Sequence, residues 1–365
     1  MRIKYVPPLL LLASLVAACG GGDSKSGSGA AAAVAELQES GFGDFLGAQT
    51  PVRERQVGAW TEEFFDPAEN GAICLVGGEF QVNHHEGSSD ELLLYLQGGG
   101  ACWDYGTCHV ANTATKVANG AIEAGIIDLD QAGNPFADFD ITYVPYCDGS
   151  VFSGTATVDY GGVETYHHGL QNLSAAVTAM KARFPNPSRI VVAGSSAGGY
   201  GTFAGYAVTR LAYPDTPIIV FNDSGPGLQN HDASEDVQNR IANWNFTDRI
   251  PASCTECSDQ YSYLVDWALA RDADARFAFY SYQQDGVISF FIDLSGPAYQ
   301  QLLLDVTGNL LTTNPGRFAR YFPQGTTHTV LLSSEFYTQA IDGVPLIDWT
   351  SDFLADGPGW VDVVE

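Results

Sequence analysis

Gly194-Ser195-Ser196-Ala197-Gly198-Gly199 is the stretch that decides the fold of this chain. The apolar run Arg189-Ile190-Val191-Val192-Ala193 leads directly into it, and Tyr200 to Val208 continues behind it in a composition that suits a helix. A buried strand, a G-x-S-x-G turn and a helix together describe a nucleophile elbow. The turn is sharp, so the central serine takes strained backbone angles, and the flanking glycines let strand and helix approach closely. Ser196 then presents its hydroxyl at the first turn of a helix, where backbone N–H groups meet a developing oxyanion.

The rest of the chain supports the same architecture. Apolar runs at 92–96, 141–145, 217–221 and 276–280 read as buried strands, and Phe318 to Phe322 as another. Thr165 to Phe184 carries Leu170, Leu173, Val177 and Met180 at helical spacing, closed by Pro185, and Tyr299 to Leu311 reads as a further helix. Alternating strands and helices imply an α/β fold with a mostly parallel sheet covered on both faces. The sites of such sheets lie at the carboxyl ends of the strands.

The partners of the serine follow from chain order, Ser then acid then His. Of seven histidines, two lie after Ser196. His231 comes a few residues past the 217–221 strand, too early for the last loop of the sheet. His328 follows the Phe318 strand and precedes a terminal segment of helical character. Asp285 follows the Arg276 strand and fits the place of the acid; Asp223, in Asn222-Asp223-Ser224-Gly225, is its rival. The acid holds the histidine tautomer and stabilises the imidazolium. Gln97-Gly98-Gly99-Gly100 follows a strand in the manner of the glycine-rich loop that donates N–H groups to an oxyanion. The expected donors are the N–H groups of Gly99, Gly100 and Ala197.

Composition places these motifs in an exported protein. Hydrophobic residues make up 45% of 365, enough for a large core. Arg2 and Lys4 precede an apolar run from Val6 to Ala18, a secretory signal over 1–18, and Leu15-Val16-Ala17-Ala18-Cys19 resembles a bacterial lipobox with Cys19 as the lipidated residue. The Gly/Ser/Ala-rich stretch behind it reads as a tether over 19–45, with the catalytic domain at 46–365. The expected location is the cell envelope, lipid-anchored to a bacterial membrane, or outside the cell. Six cysteines remain after Cys19, an even number that suggests disulfides in an exported chain. Cys254-Thr-Glu-Cys257 has no second CxxC and no nearby histidine, which argues against zinc. Asp and Glu total 43 against 16 Lys and Arg. Loss of Arg2 and Lys4 with the leader takes the formal charge from −27 to −29. Such a surface repels nucleic acid at low salt.

Two histidine pairs, His84-His85 and His167-His168, look metal-like, but adjacent residues do not share a face of a helix or strand. Asp128-Leu-Asp130 with Gly133 lacks the closing Glu of a calcium loop, since position 139 is Phe. No metal is assigned.

Leu94 to Gly100 with Cys102 and Cys108, Val144-Pro145-Tyr146-Cys147 with Phe152-Ser153-Gly154, the Ser196 elbow, Asp223-Ser224-Gly225, Asp285 and His328 together resemble the pectin acetylesterase and Notum family of serine esterases. The resemblance covers about Cys74 to Val330. It implies an α/β-hydrolase fold, Ser196 as nucleophile with Asp285 and His328 as partners, and no cofactor. It also implies disulfides Cys74–Cys147 and Cys102–Cys108, which leaves Cys254–Cys257 as a short-range pair. The better-known eukaryotic members carry Trp directly before the first cysteine of the oxyanion loop; here Ala101 stands there and Trp103 follows the cysteine. The function expected is removal of O-acyl groups, acetyl first, from a glycan such as pectin, by a monomer whose only membrane contact is its lipid. The alternatives are an esterase for small or lipid-like acyl esters and a non-catalytic surface binding protein on the same fold.

Overall fold

A computed structural model describes residues 30–234 and 242–365. The signal segment and Cys19 lie outside the described residues. Ten strands form one sheet: β1 (Arg53–Val57), β2 (Trp60–Phe65), β3 (Phe80–His85), β4 (Glu91–Leu96), β5 (Asp140–Val144), β6 (Arg189–Ser195), β7 (Ile218–Asp223), β8 (Arg276–Tyr280), β9 (Phe318–Phe322) and β10 (Val363–Val364). Their spatial order is β1-β2-β3-β5-β4-β6-β7-β8-β9-β10. From β5 to β10 every neighbouring pair is parallel, and antiparallel pairing is confined to the β1-β2-β3-β5 edge.

The continuous apolar runs follow from burial on both faces. Leu92, Leu94 and Leu96 of β4 join one core; Leu93 and Tyr95 join the other. Ile190 and Val192 of β6 alternate with Val191 and Ala193 in the same way. The helices Gly169–Arg183, Ala197–Ala212, Leu264–Arg271 and Gly296–Thr313 pack on the first face, and Leu346–Ala355 packs on the second. This is an α/β-hydrolase fold.

Two expectations need correction. The helix read from Thr165 begins at Gly169, because Glu164–His167 pairs antiparallel with Ala156–Asp159 in a small hairpin. The tether expected over 19–45 does not extend that far. Ala31–Glu39 is a helix whose Ala33 and Leu37 are buried, and Phe42 is buried just behind it. The helix contacts the Ala197–Ala212 and Leu264–Arg271 helices, and Glu36 pairs with Arg271. Ala33 and Leu37, at i, i+4 spacing, face the core from a stretch whose composition reads as linker, and the Glu36–Arg271 pair adds to the docking.

The three pairs Cys74–Cys147, Cys102–Cys108 and Cys254–Cys257 are disulfides. Such bonds persist in oxidising compartments outside the cytosol. Among the described residues, no helix is long and apolar enough to cross a membrane.

Candidate active site

β6 ends at Ser195 and the next helix begins at Ala197, which leaves Ser196 alone at the turn with φ 58° and ψ −119°. Holding a non-glycine residue there costs about 1–3 kcal/mol, so the surroundings must fix it. The Ser196 N–H donates to the Asp223 carbonyl at 2.8 Å. On the other side Gly198 abuts β4 so closely that a Cβ would lie 1.9 Å from the Leu96 carbonyl oxygen. Only glycine permits that approach, and it sets the helix start hard against the sheet.

His328 lies in the loop after β9, six residues beyond Phe322. Its Nδ1 stands 2.8 Å from Asp285 Oδ2. A carboxylate only accepts, so Nδ1 carries the hydrogen and Nε2 is left as the basic nitrogen. That Nε2 is enclosed and has no hydrogen-bond partner among the described residues. Asp285 is fully buried behind it. Its other oxygen, Oδ1, accepts the N–H groups of Val287 and Ile288 at 2.9 and 3.0 Å and caps the helix Gly286–Phe291.

Asp223 sits elsewhere. It is fully buried, and burial raises its carboxyl pKa above the usual range. Its Oδ2 accepts the Ser195 hydroxyl at 2.6 Å and the N–H groups of Val330 and Leu331 at 3.0 and 2.9 Å. The Tyr95 and Ser195 hydroxyls are 2.8 Å apart in the same network, and burial drives the Tyr95 phenol far above its ordinary pKa. Asp223 therefore ties the elbow strand to the backbone just past His328. The structure pairs His328 with Asp285, not with Asp223. Two more left-handed residues mark these seams, Ser224 after β7 and Thr329 after the histidine, and the Thr329 N–H donates to Ser224 Oγ at 3.3 Å.

Beside Ser196 lies a cavity of about 590 Å³. Gly100 and Ala197 form part of its wall, and neither N–H donates a hydrogen bond within the described residues. Gly100 has φ 78°, and its loop is stitched down by Ala101 N–H to the Thr113 carbonyl and by Thr115 N–H to the Gly99 carbonyl. Gly99 is outside the wall; its α-carbon faces Tyr146 and Thr115. Of the residues around the first cysteine of this loop, Ala101 lines the cavity, while Trp103 is buried behind it, edge-on to Phe291 at 6.4 Å.

Sequence reasoning missed the cavity walls. Leu228, Trp244, Phe246, Ile250, Tyr261 and Leu264 reach it from the segment between β7 and β8, and Ile288 and Phe291 from the helix that Asp285 caps. His231 also lines it, with Nε2 3.3 Å from Asp259 Oδ1. No motif marks these positions. The available signal was length: β7 ends at Asp223 and β8 starts at Arg276, and the stretch ahead of the helix Leu264–Arg271 is far longer than an ordinary connection. Of the histidine pairs, His84 is buried against Thr142, and His167 lies between Tyr160 and the Asp148 carbonyl. Among the described residues, no group of three His, Cys, Asp or Glu is placed to hold a metal ion. A serine at a helix start, an imidazole with one basic nitrogen left over and a carboxylate behind it make an arrangement suited to acyl transfer.

The chain matches the pectinacetylesterase family model over residues 59–265, more than half of its length. It is 28% identical over 169 residues to pectin acetylesterase 4 of Arabidopsis thaliana, covering 43% of this chain and 41% of that protein. It is 24% identical over 202 residues to pectin acetylesterase 7 of the same plant, covering 51% and 52%. Against the palmitoleoyl-protein carboxylesterase NOTUM of Schmidtea mediterranea it is 28% identical over 123 residues, covering 31% and 23%. The chain thus spans about half or less of the length of these relatives. On the family match, this chain belongs to the pectinacetylesterase family.

Proposed function

We propose that this chain is a serine carboxylesterase. The observation that carries the reading is the Asp285–His328 pair at the same carboxyl edge of the sheet as Ser196, which is held at φ 58° on the elbow. Ser196 Oγ attacks the ester carbonyl while His328 Nε2 takes its proton. Asp285 stabilises the imidazolium. The N–H groups of Gly100 and Ala197 face the tetrahedral oxyanion, while Gly99, expected as a third donor, lies outside the cavity wall. His328 returns the proton to the leaving alcohol, and water then cleaves the acyl-enzyme by the same route in reverse. No cofactor enters these steps.

The cavity favours an acyl group larger than acetyl. An acetyl methyl needs roughly the space of one water, about 30 Å³, against about 590 Å³ of mainly aromatic and aliphatic wall. One relative carries the name of a palmitoleoyl-protein carboxylesterase, which agrees with a lipid-like acyl group. Acetyl release from a glycan is the second reading, favoured by the names of the two plant relatives. A non-catalytic binding role would leave the strained serine and the Asp285–His328 pair without use. Export, with a lipid on Cys19 as the only membrane anchor, belongs to the same proposal, as does a monomer without nucleic-acid partners. Cys19→Ser should then release the protein from the membrane fraction; a variant that stayed membrane-bound would remove the anchor from the reading.

The test is a series of p-nitrophenyl esters from acetyl to palmitoyl. Wild type should reach its highest kcat/KM at six carbons or more. Ser196→Ala should lose at least about a thousandfold in kcat while remaining folded. A maximum at acetyl, followed by acetate release from pectin or xylan, would favour the second reading. Substantial turnover by the alanine variant would end the serine mechanism.

A further inference from the structure

The segment that follows β5 is bent into a turn of unusual backbone. Gly149, Val151 and Phe152 have φ of 70°, 50° and 63°. Glycine takes such angles freely. A β-branched valine and a phenylalanine there are outliers, and outliers of this kind gather where function needs them. The turn is held by side chains made for it. The Asp148 Oδ1 accepts the Ser150 N–H at 2.7 Å, the Ser150 hydroxyl at 2.6 Å and the Phe152 N–H at 3.3 Å. The Val151 N–H donates to the Tyr146 hydroxyl at 3.0 Å.

The turn is also wedged between the two halves of the candidate oxyanion site. The Cys102 N–H donates to the Gly149 carbonyl at 2.9 Å, which joins it to the loop carrying Gly100. The Phe152 ring lies on the elbow helix at Gly201, where a Cβ would be 2.5 Å from the ring. Between these two anchors Val151 lines the cavity wall and packs against the cluster of Ala101, Trp103 and Trp244, which Phe291 also joins. The conformation thus places one apolar side chain at a defined point close to the elbow.

We propose that Val151 determines acyl specificity, and that the strained turn exists to hold its side chain in the wall of the cavity. This rests on the serine-esterase reading of that cavity. An asparagine or glycine would adopt the same backbone with less strain but would remove the apolar contact. Contacts of this size in an apolar pocket are worth about tenfold or more in discrimination.

The experiment measures melting temperature and kcat/KM on p-nitrophenyl octanoate and acetate for wild type, Val151→Gly and Val151→Asn. Both variants should melt at or above the wild-type temperature and lose about tenfold in the octanoate-to-acetate ratio. Tyr146→Phe, which leaves the Val151 side chain unaltered but removes the hydroxyl that anchors its N–H, should lower the same ratio. An unchanged ratio in both Val151 variants overturns the proposal. So does a lowered melting temperature with equal loss on the two esters, the result of a residue that only supports the fold. Those outcomes leave the esterase reading standing. A wild-type protein that hydrolyses neither ester takes down both.

Discussion

The floor and the walls of the cavity are built by different means. The floor, at the carboxyl ends of β4, β6, β7, β8 and β9, is fixed by backbone: left-handed residues at Ser196, Ser224 and Thr329, a glycine packed onto Leu96, and a buried carboxylate, Asp223, that clamps two strand ends together. The walls come from connections, and they are chiefly side chains, with Trp244, Phe246 and Tyr261 on one and Ile288 and Phe291 on another. A site built this way fixes its chemistry in the sheet and leaves the choice of substrate to loops that tolerate change.

The sharpest way to break this division is to exchange the roles of the two buried acids. If the floor separates chemistry from support, Asp285→Asn should reduce kcat by about 10⁴ with the fold intact, as loss of the tautomer-setting carboxylate does elsewhere. Asp223→Asn should chiefly lower stability, by about 2–4 kcal/mol, because it disturbs a buried network of four hydrogen-bonding groups. Kinetics and thermal melts on both variants decide it. The reverse ranking would move the acid to Asp223 and dissolve the distinction.

A smaller effect is expected in the walls. Phe291→Ala should lower kcat/KM on long p-nitrophenyl esters by about 10–100-fold, more than on acetate, since it removes one large apolar contact of the wall. Equal loss on all chain lengths would mean that the wall carries chemistry as well.

An effect on stability alone concerns the turn that joins floor to wall. Burial raises the Asp148 carboxyl to about 6 from an ordinary 3.8. A carboxyl raised on folding favours its protonated form, so its contribution to stability is present below about pH 4 and is lost as pH rises through 6. Asp148→Asn keeps the accepting oxygen and removes the charge. Its melting temperature should match wild type near pH 4 and exceed it by a few degrees at pH 8, a difference on the order of 3 kcal/mol at most. A variant less stable at pH 8 than wild type would show that the negative charge itself holds the turn.

The floor was legible in the sequence because its geometry demands particular residues. Glycine at 194 and 198 around Ser196, the glycine run at 98–100, and one acid and one histidine at the right strand ends all leave a mark in composition and order. Both Arg276–Tyr280 and Phe318–Phe322 were read with their true bounds, since strands buried on both faces are continuous apolar runs. The walls were not legible. An apolar side chain that lines a cavity has the same composition as one that fills a core, and only the packing separates Leu228 from Leu170. The docking of Ala31–Glu39 was hidden for a related reason: its buried side chains, Ala33 and Leu37, sit within a stretch of linker composition. The turn at Val151 went unseen because its backbone contradicts the preference of its own residue.

Asp285 gives the molecule one more property. A single carboxylate grips the imidazole with one oxygen and begins the wall helix with the other. The proposed reaction centre and the cavity wall therefore share a hinge pin. An engineer who wished to graft a different 286–291 segment, or lengthen the turn before it, would shift the histidine in the same stroke. Retargeting this scaffold is open to changes at the tips of side chains, while exchange of the whole segment is closed.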